Sequence, residues 1–215
     1  MRTFKIFGIF LSAVLTVFGM TSCFNSDDNS NQSLTKEQIQ QCYFAVAGPH
    51  SGKLVYVAGK ANNGNSKTDS IPASWNITSD STMVLNNVSA KAVASLIDTT
   101  SAEHKEIRNA IAAQPSKPMN CYIGFVNMNP VQWLINPTGL TYNVTYGGAK
   151  HEIKLVFAAN NSYSFGQYNS TSRIMQLQLI AYGAYIDGTF DKSTTPLVLQ
   201  GTPLWFVGSA DFSGW

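Results

Sequence analysis

Charge is scarce in this chain: only 12% of its 215 residues are Asp, Glu, Lys or Arg. Arg2 and Lys5 are two of the 14 basic residues, so 12 remain beyond them, against 12 acidic residues that all follow Cys23. Without its leading segment the protein is formally neutral, which removes the electrostatic case for nucleic acid as a partner. Cysteine is scarce too, with Cys23, Cys42 and Cys121 the whole supply. No apolar run spans a bilayer. The longest, Ile6 to Met20 (IFGIFLSAVLTVFGM), is too short and lacks a stop-transfer flank. No nucleophile-elbow serine occurs, and the three histidines, His50, His104 and His151, have no metal-ligand spacing.

The leading segment itself is informative. Arg2 and Lys5 precede the apolar run, so residues 1–22 read as a secretory signal. Met20-Thr21-Ser22-Cys23 resembles the lipobox of bacterial lipoproteins, in which the cysteine is acylated and becomes the new N-terminus. Phe24-Asn25-Ser26-Asp27-Asp28 resembles the acidic surface-export signal of Bacteroidota lipoproteins. The expectation is a lipid anchor on Cys23, with residues 23–33 as a polar tether spanning roughly 17 Å by coil scaling. The membrane is then a partner through that lipid, and the location is the outer membrane, exposed at the cell surface or, alternatively, facing the periplasm.

Beyond the tether, Asn, Ser, Thr, Gly and Tyr are plentiful and aromatic content is ample, the balance of an ordered, extracellular β-rich protein. Residues 34–215 are enough for one domain. Thr35-Lys36-Glu37-Gln38 has capping-box spacing and predicts a short helix to about Gln41. Residues 42–47 and 53–58 read as strands around a turn at 48–52, and 61–70 as a polar loop. Residues 73–78 and 82–88 form a second strand pair. Ser89 and Ser101 cap helices at 90–97 and 102–114, ended by Pro115 and Pro118. From Met119 on the pattern is β, cleanest where Leu140, Tyr142, Val144 and Tyr146 alternate with polar residues. These elements predict a mainly β protein (α+β by content). The expected architecture is an antiparallel β-sandwich with a short N-terminal helix and a helical insertion near residues 89–114. A calycin-like β-barrel is the alternative.

Two readings of the cysteines stay open. Cys42 and Cys121 can pair in an oxidising envelope, or remain buried thiols within strands. A weak echo, Cys42-Tyr43-Phe44 against Cys121-Tyr122-Ile123 and Trp75-Asn76-Ile77-Thr78 against Tyr142-Asn143-Val144-Thr145, raises the further reading of duplicated β-halves at about 42–114 and 119–215.

Motifs for catalysis are thin. Gly48 to Leu54 (GPHSGKL) fails as a phosphate loop: its spacing is too short, no Ser or Thr comes after Lys53, and a strand pattern stands where a helix is needed. It reads as a hairpin turn. His151-Glu152 lacks the second histidine of a zinc helix, and Asp187 to Asp191 lacks the oxygens of a calcium loop. No acidic pair stands out for glycoside hydrolysis. No metal site and no cofactor is implied. The aromatics carry the one functional hint. Trp133 and Tyr168 are the candidates for stacking on a sugar face, with amide side chains to satisfy its hydroxyls, whereas Trp205 within PLWFV reads as core. Asp69-Ser70-Ile71, Asp80-Ser81-Thr82 and Asp98-Thr99-Thr100 each resemble the Bacteroidota O-glycosylation acceptor, making Ser70, Ser81 and Thr99 candidate acceptors in turns or at a helix end.

Lipobox, acidic tether and a β-rich body of this size together resemble the small lipoproteins of gut Bacteroidales, in particular the domain-of-unknown-function 4840 family. The resemblance implies an anchor and a location but no activity. The function expected is non-enzymatic binding of a glycan or of another envelope protein. A fimbrillin-like structural subunit is the alternative, and a carbohydrate-active enzyme comes third.

Overall fold

The computed structural model describes residues 33–60, 66–159 and 163–209. The expected signal, the expected lipidation site Cys23 and nearly all of the expected tether lie outside the described residues. Leu34 to Trp215 form one compact unit. In chain order it comprises α1 (Lys36–Val46), β1 (Gly48–Lys60), β2 (Ser66–Ile77), β3 (Thr82–Val88), α2 (Ala90–Ala94), α3 (Ala102–Ala112) and β4 (Lys117–Met128). There follow β5 (Val131–Pro137), β6 (Leu140–Tyr146), β7 (Ala149–Phe157), β8 (Phe165–Asn169), β9 (Ile174–Ile186), β10 (Thr189–Phe190) and β11 (Pro203–Ser209).

The sandwich expectation is corrected to a barrel. Strands pair in the order β1-β2-β3-β4-β5-β8-β9-β11, every described pairing antiparallel, and β11 pairs with β1 as well as β9, so eight strands close on themselves. Closure leaves no unpaired edge in that ring. β9 serves two sheets. Its first half pairs with β8 and β11, and past a bulge its second half pairs with β7 and β10, adding a small sheet that ends on β6.

The barrel is filled, because inward positions on each strand carry bulky apolar side chains. Leu54, Trp75, Met83, Leu85, Met119, Trp133, Ile135, Leu177, Leu179, Leu204 and Phe206 are at most 1% exposed. The indole N–H of Trp75 donates to Met175 Sδ at 3.2 Å, and its ring meets Phe206 edge-on at 6.1 Å. Glycine makes room for both tryptophans. A Cβ on Gly166 would stand 2.1 Å from Cε2 of Trp133, and one on Gly208 2.9 Å from Cη2 of Trp75. At the end where β2 turns into β3, α1 packs through buried Cys42 and Val46, which lie four apart on one helical face. There the Tyr43 hydroxyl donates to the Thr78 carbonyl at 3.2 Å. The opposite end gathers buried Ala92, Val93, Leu96, Ile107 and Ile111 with the β6–β7 hairpin, and residues 96–98 hydrogen-bond to 197–199.

Several local expectations change. CYFAVA is mostly helix, not strand: the Thr35–Gln38 capping box forms in both directions, and the helix it starts runs on to Val46. The supposed turn at 48–52 is the first part of β1, and polar 66–70 belongs to β2. β8, which no local pattern marks, is a strand. The duplicated-halves reading fails on its own anchors: Cys42 sits on a helix and Cys121 on a strand, while Trp75 lies inside the barrel and Tyr142 in the side sheet.

Candidate functional site

The outer wall along β9 brings together rings and amides without charge. Outward Gln176, Gln178, Ile180 and Tyr182 alternate with inward Met175, Leu177, Leu179 and Ala181. Across the ladder, Gln178 stands beside Phe165 of β8 and Trp205 of β11, Gln176 beside Gln167 and Val207, and Ile180 beside Pro203. On β5, Gln132 donates to Gln167 Oε1 at 3.0 Å. β5, β8, β9 and β11 contain no Asp, Glu, Lys, Arg or His.

The amide of Gln178 is fixed at both ends. Its Oε1 accepts from the Trp205 indole N–H at 3.0 Å, and its Nε2 donates to the Tyr163 carbonyl at 3.0 Å. One glutamine thus orients an indole and the segment that carries an exposed tyrosine ring. Further along β9 comes a second cluster: Tyr182 and Phe190 at 6.0 Å between centroids, Tyr185 edge-on to Phe190 at 5.2 Å. Phe190 lies over Gly183, where a Cβ would come within 2.7 Å of its ring. Tyr163 is 63% exposed and Tyr182 55%, so the rings are presented rather than buried. Such a wall can stack on apolar C–H faces and exchange hydrogen bonds with hydroxyls. It holds no group suited to proton transfer near neutral pH.

The residues singled out from sequence are placed differently. Trp133 is fully buried, packed at 5.8 Å from Phe125, its indole N–H without a protein acceptor. Tyr168 is half-buried on β8, packed against the core. Neither is a presented ring, because both share the inward face of their strands with Val131, Ile135 and Gly166. Trp205, read as core, is on the outer face between inward Leu204 and Phe206. The two tryptophans exchange roles.

Cys42 and Cys121 are free and buried, and Cys42 is on α1 rather than a strand. Cys42 S–H lies 3.7 Å from the Asn127 carbonyl, whereas Cys121 is six residues back along β4, about 20 Å at strand rise, far beyond disulfide reach. Burial pushes the Cys121 thiol up to about 12. Ser81 is exposed beside β3, Ser70 is exposed but within strand β2 rather than a turn, and Thr99 is half-buried near α3.

Nor are the histidines simply solvated. His50 Nε2 meets the Val46 carbonyl at 2.8 Å and stacks on Trp75, His104 Nδ1 meets Asp98 at 3.3 Å, and His151 Nδ1 meets Asp187 at 2.7 Å. His151 also stacks on Tyr146 at 4.1 Å. Among the described residues no hydroxyl or thiol hydrogen-bonds either His–Asp pair's imidazole, and no group of three or more His, Cys, Asp or Glu is placed to hold a metal. Asp187 and Gly188 turn the chain at φ 49° and 79°, and the Asp187 carboxylate is occupied by His151 and the Glu152 N–H. The His151 hydrogen bond, then the Glu152 amide, hold that carboxyl below its usual range.

Compared with known proteins, the chain matches no curated protein and no solved structure. The model of one family, Domain of unknown function (DUF4840), matches residues 45–186, from the end of α1 to the last residue of β9. With about two thirds of its length so matched, the chain belongs to the DUF4840 family.

Proposed function

We propose that this protein is a surface-anchored lipoprotein that binds a neutral glycan along the outer wall of β8, β9 and β11. The observation that carries the reading is the Tyr163–Gln178–Trp205 constellation, continued by Tyr182 on the same strand, on three strands that themselves carry amides and no charged side chain. Rings offer stacking to the C–H face of a sugar, Gln167, Gln176 and Gln178 offer donors and acceptors to its hydroxyls, and the uncharged wall favours a neutral ligand. Lipid on Cys23 and the polar tether behind it would hold this barrel at the outer membrane.

The alternatives draw less support. A fimbrillin-like subunit needs an open groove to receive a donor strand, and each strand of this barrel has a neighbour on both sides. A glycosidase needs two carboxylates facing each other across a cleft, and no described Asp or Glu is buried.

The test is a screen of the chain from residue 33 onward on an array of neutral and charged glycans. Binding should favour neutral chains, and Tyr182→Ala and Trp205→Ala should each weaken it about tenfold, or 1.4 kcal/mol. Failure of every neutral glycan, or variants that bind like the parent, sinks the reading. An envelope protein captured in place of any glycan would point to the other partner class. The anchor is tested separately: Cys23→Ala should remove palmitate labelling and release the protein from the envelope fraction.

A further inference from the structure

α2 and α3 meet over a cavity of about 570 Å³ lined by Lys91 and Ala94 of α2, Thr99 of the connecting loop, and Lys105, Arg108, Asn109 and Ala112 of α3. Positions 105, 108, 109 and 112 fall on one stripe of a helix, so α3 turns both of its lining cations toward the same space. Three of the 12 basic residues beyond Arg2 and Lys5 thus line a single cavity. The lining contains no carboxylate.

Only one of the three cations is answered. Lys91 Nζ lies 3.5 Å from Asp69, whose carboxylate also takes the Tyr56 hydroxyl at 3.0 Å and the Ser70 N–H at 2.8 Å. Asp98, next to Thr99, is engaged by Thr100 and His104. Among the described residues, Lys105 and Arg108 have no ion-pair partner. Like charges three apart on a helix cost a few tenths of a kcal/mol and contribute nothing to folding. In a protein this poor in charge, three cations lining one hollow offer an anion a place to bind.

We propose that this cavity binds a small phosphate monoester. Arg108 supplies a forked guanidinium that matches phosphate oxygens, Lys91 and Lys105 supply point charge, and Thr99 and Asn109 supply neutral hydrogen bonds. The hollow is open to solvent on one side and larger than a bare ion needs, so it suits a small ligand that stays partly in water. The site is separate from the β9 wall, and either proposal stands without the other.

Isothermal titration of the full chain in non-ionic detergent tests it, with glucose 6-phosphate, dihexanoyl phosphatidic acid, inorganic phosphate and glucose as probes. A phosphate ester should bind below millimolar, at least tenfold more tightly than inorganic phosphate, and glucose should give no heat. Whichever ester binds more tightly identifies the source of the phosphate, soluble sugar or lipid headgroup. R108Q and K105Q should each lose tenfold or more, with unchanged thermal unfolding, while K53Q on β1 binds like the parent. No binding by either ester, glucose as effective as its phosphate, inorganic phosphate as tight as the esters, or binding that survives R108Q would each overturn the proposal.

Discussion

Gly166 and Trp133 show how tightly single residues are committed inside this barrel. The indole lies over the glycine, so a methyl group there has nowhere to go without displacing the ring or the β5–β8 ladder. Overpacking of this kind costs about 1–3 kcal/mol. Gly166→Ala should therefore lower the urea midpoint with an unchanged slope, and a midpoint equal to that of the parent would show that the ring is free to move. At the same scale, phase decides the fate of each tryptophan. In VQWLINP the indole is in step with Val131 and Ile135, a period-two signal that was available in the sequence and points inward. In PLWFV both phases are apolar, so no periodicity separates Trp205 from its neighbours. Only pairing with Gln178 and Val55 places it outside.

At the scale of elements, local chemistry and tertiary packing compete in α1. Tyr43, Phe44 and Val46 favour strand, and Thr35 with Gln38 favours helix. The reciprocal cap starts the helix, and burial of Cys42 and Val46 against the barrel end carries it through the aromatic stretch. Thr35→Ala removes the side-chain half of that cap and should cost about 0.5–2 kcal/mol. Amide exchange in residues 36–46 should quicken well before that in β4. Equal exchange rates in the variant and the parent would mean that packing alone holds the helix.

For the molecule as a whole, the carboxylates and one histidine set the response to acid. Asp98 is held below its usual range first by the Thr100 hydroxyl, Asp187 first by His151, and Asp69 first by the Ser70 amide. Their contribution is present above the unfolded value of about 4 and is lost as pH falls below it, because the unfolded chain takes up those protons first. Burial lowers His50 in the same sense: the unfolded imidazole protonates from about pH 6.5 downward while the folded one resists. Stability should decline in two stages on acidification, a first below about pH 6.5 and a second below about pH 4. Urea midpoints across pH 7.5 to 3.5 test this, and His50→Gln should flatten the first stage. A midpoint that rises on acidification contradicts the assignment.

Strand content, the helical insertion near residues 89–114 and the N-terminal cap were legible from local pattern, since alternation, capping residues and proline act over a few positions. Closure was not, because sandwich and barrel share the same alternation. The difference lies in whether β11 pairs with β1 across the whole length of the chain. The candidate wall and the basic cavity were hidden for the same reason. Tyr163, Gln178 and Trp205 are brought together by strand pairing, and Lys91 and Arg108 line one hollow only because two helices pack against each other. Sequence alone determined which faces were apolar, a local property of each segment. The tertiary structure decided which of those faces became the inside of a barrel and which side chains were left to meet on its surface, because long-range pairing depends on partners that no local window contains.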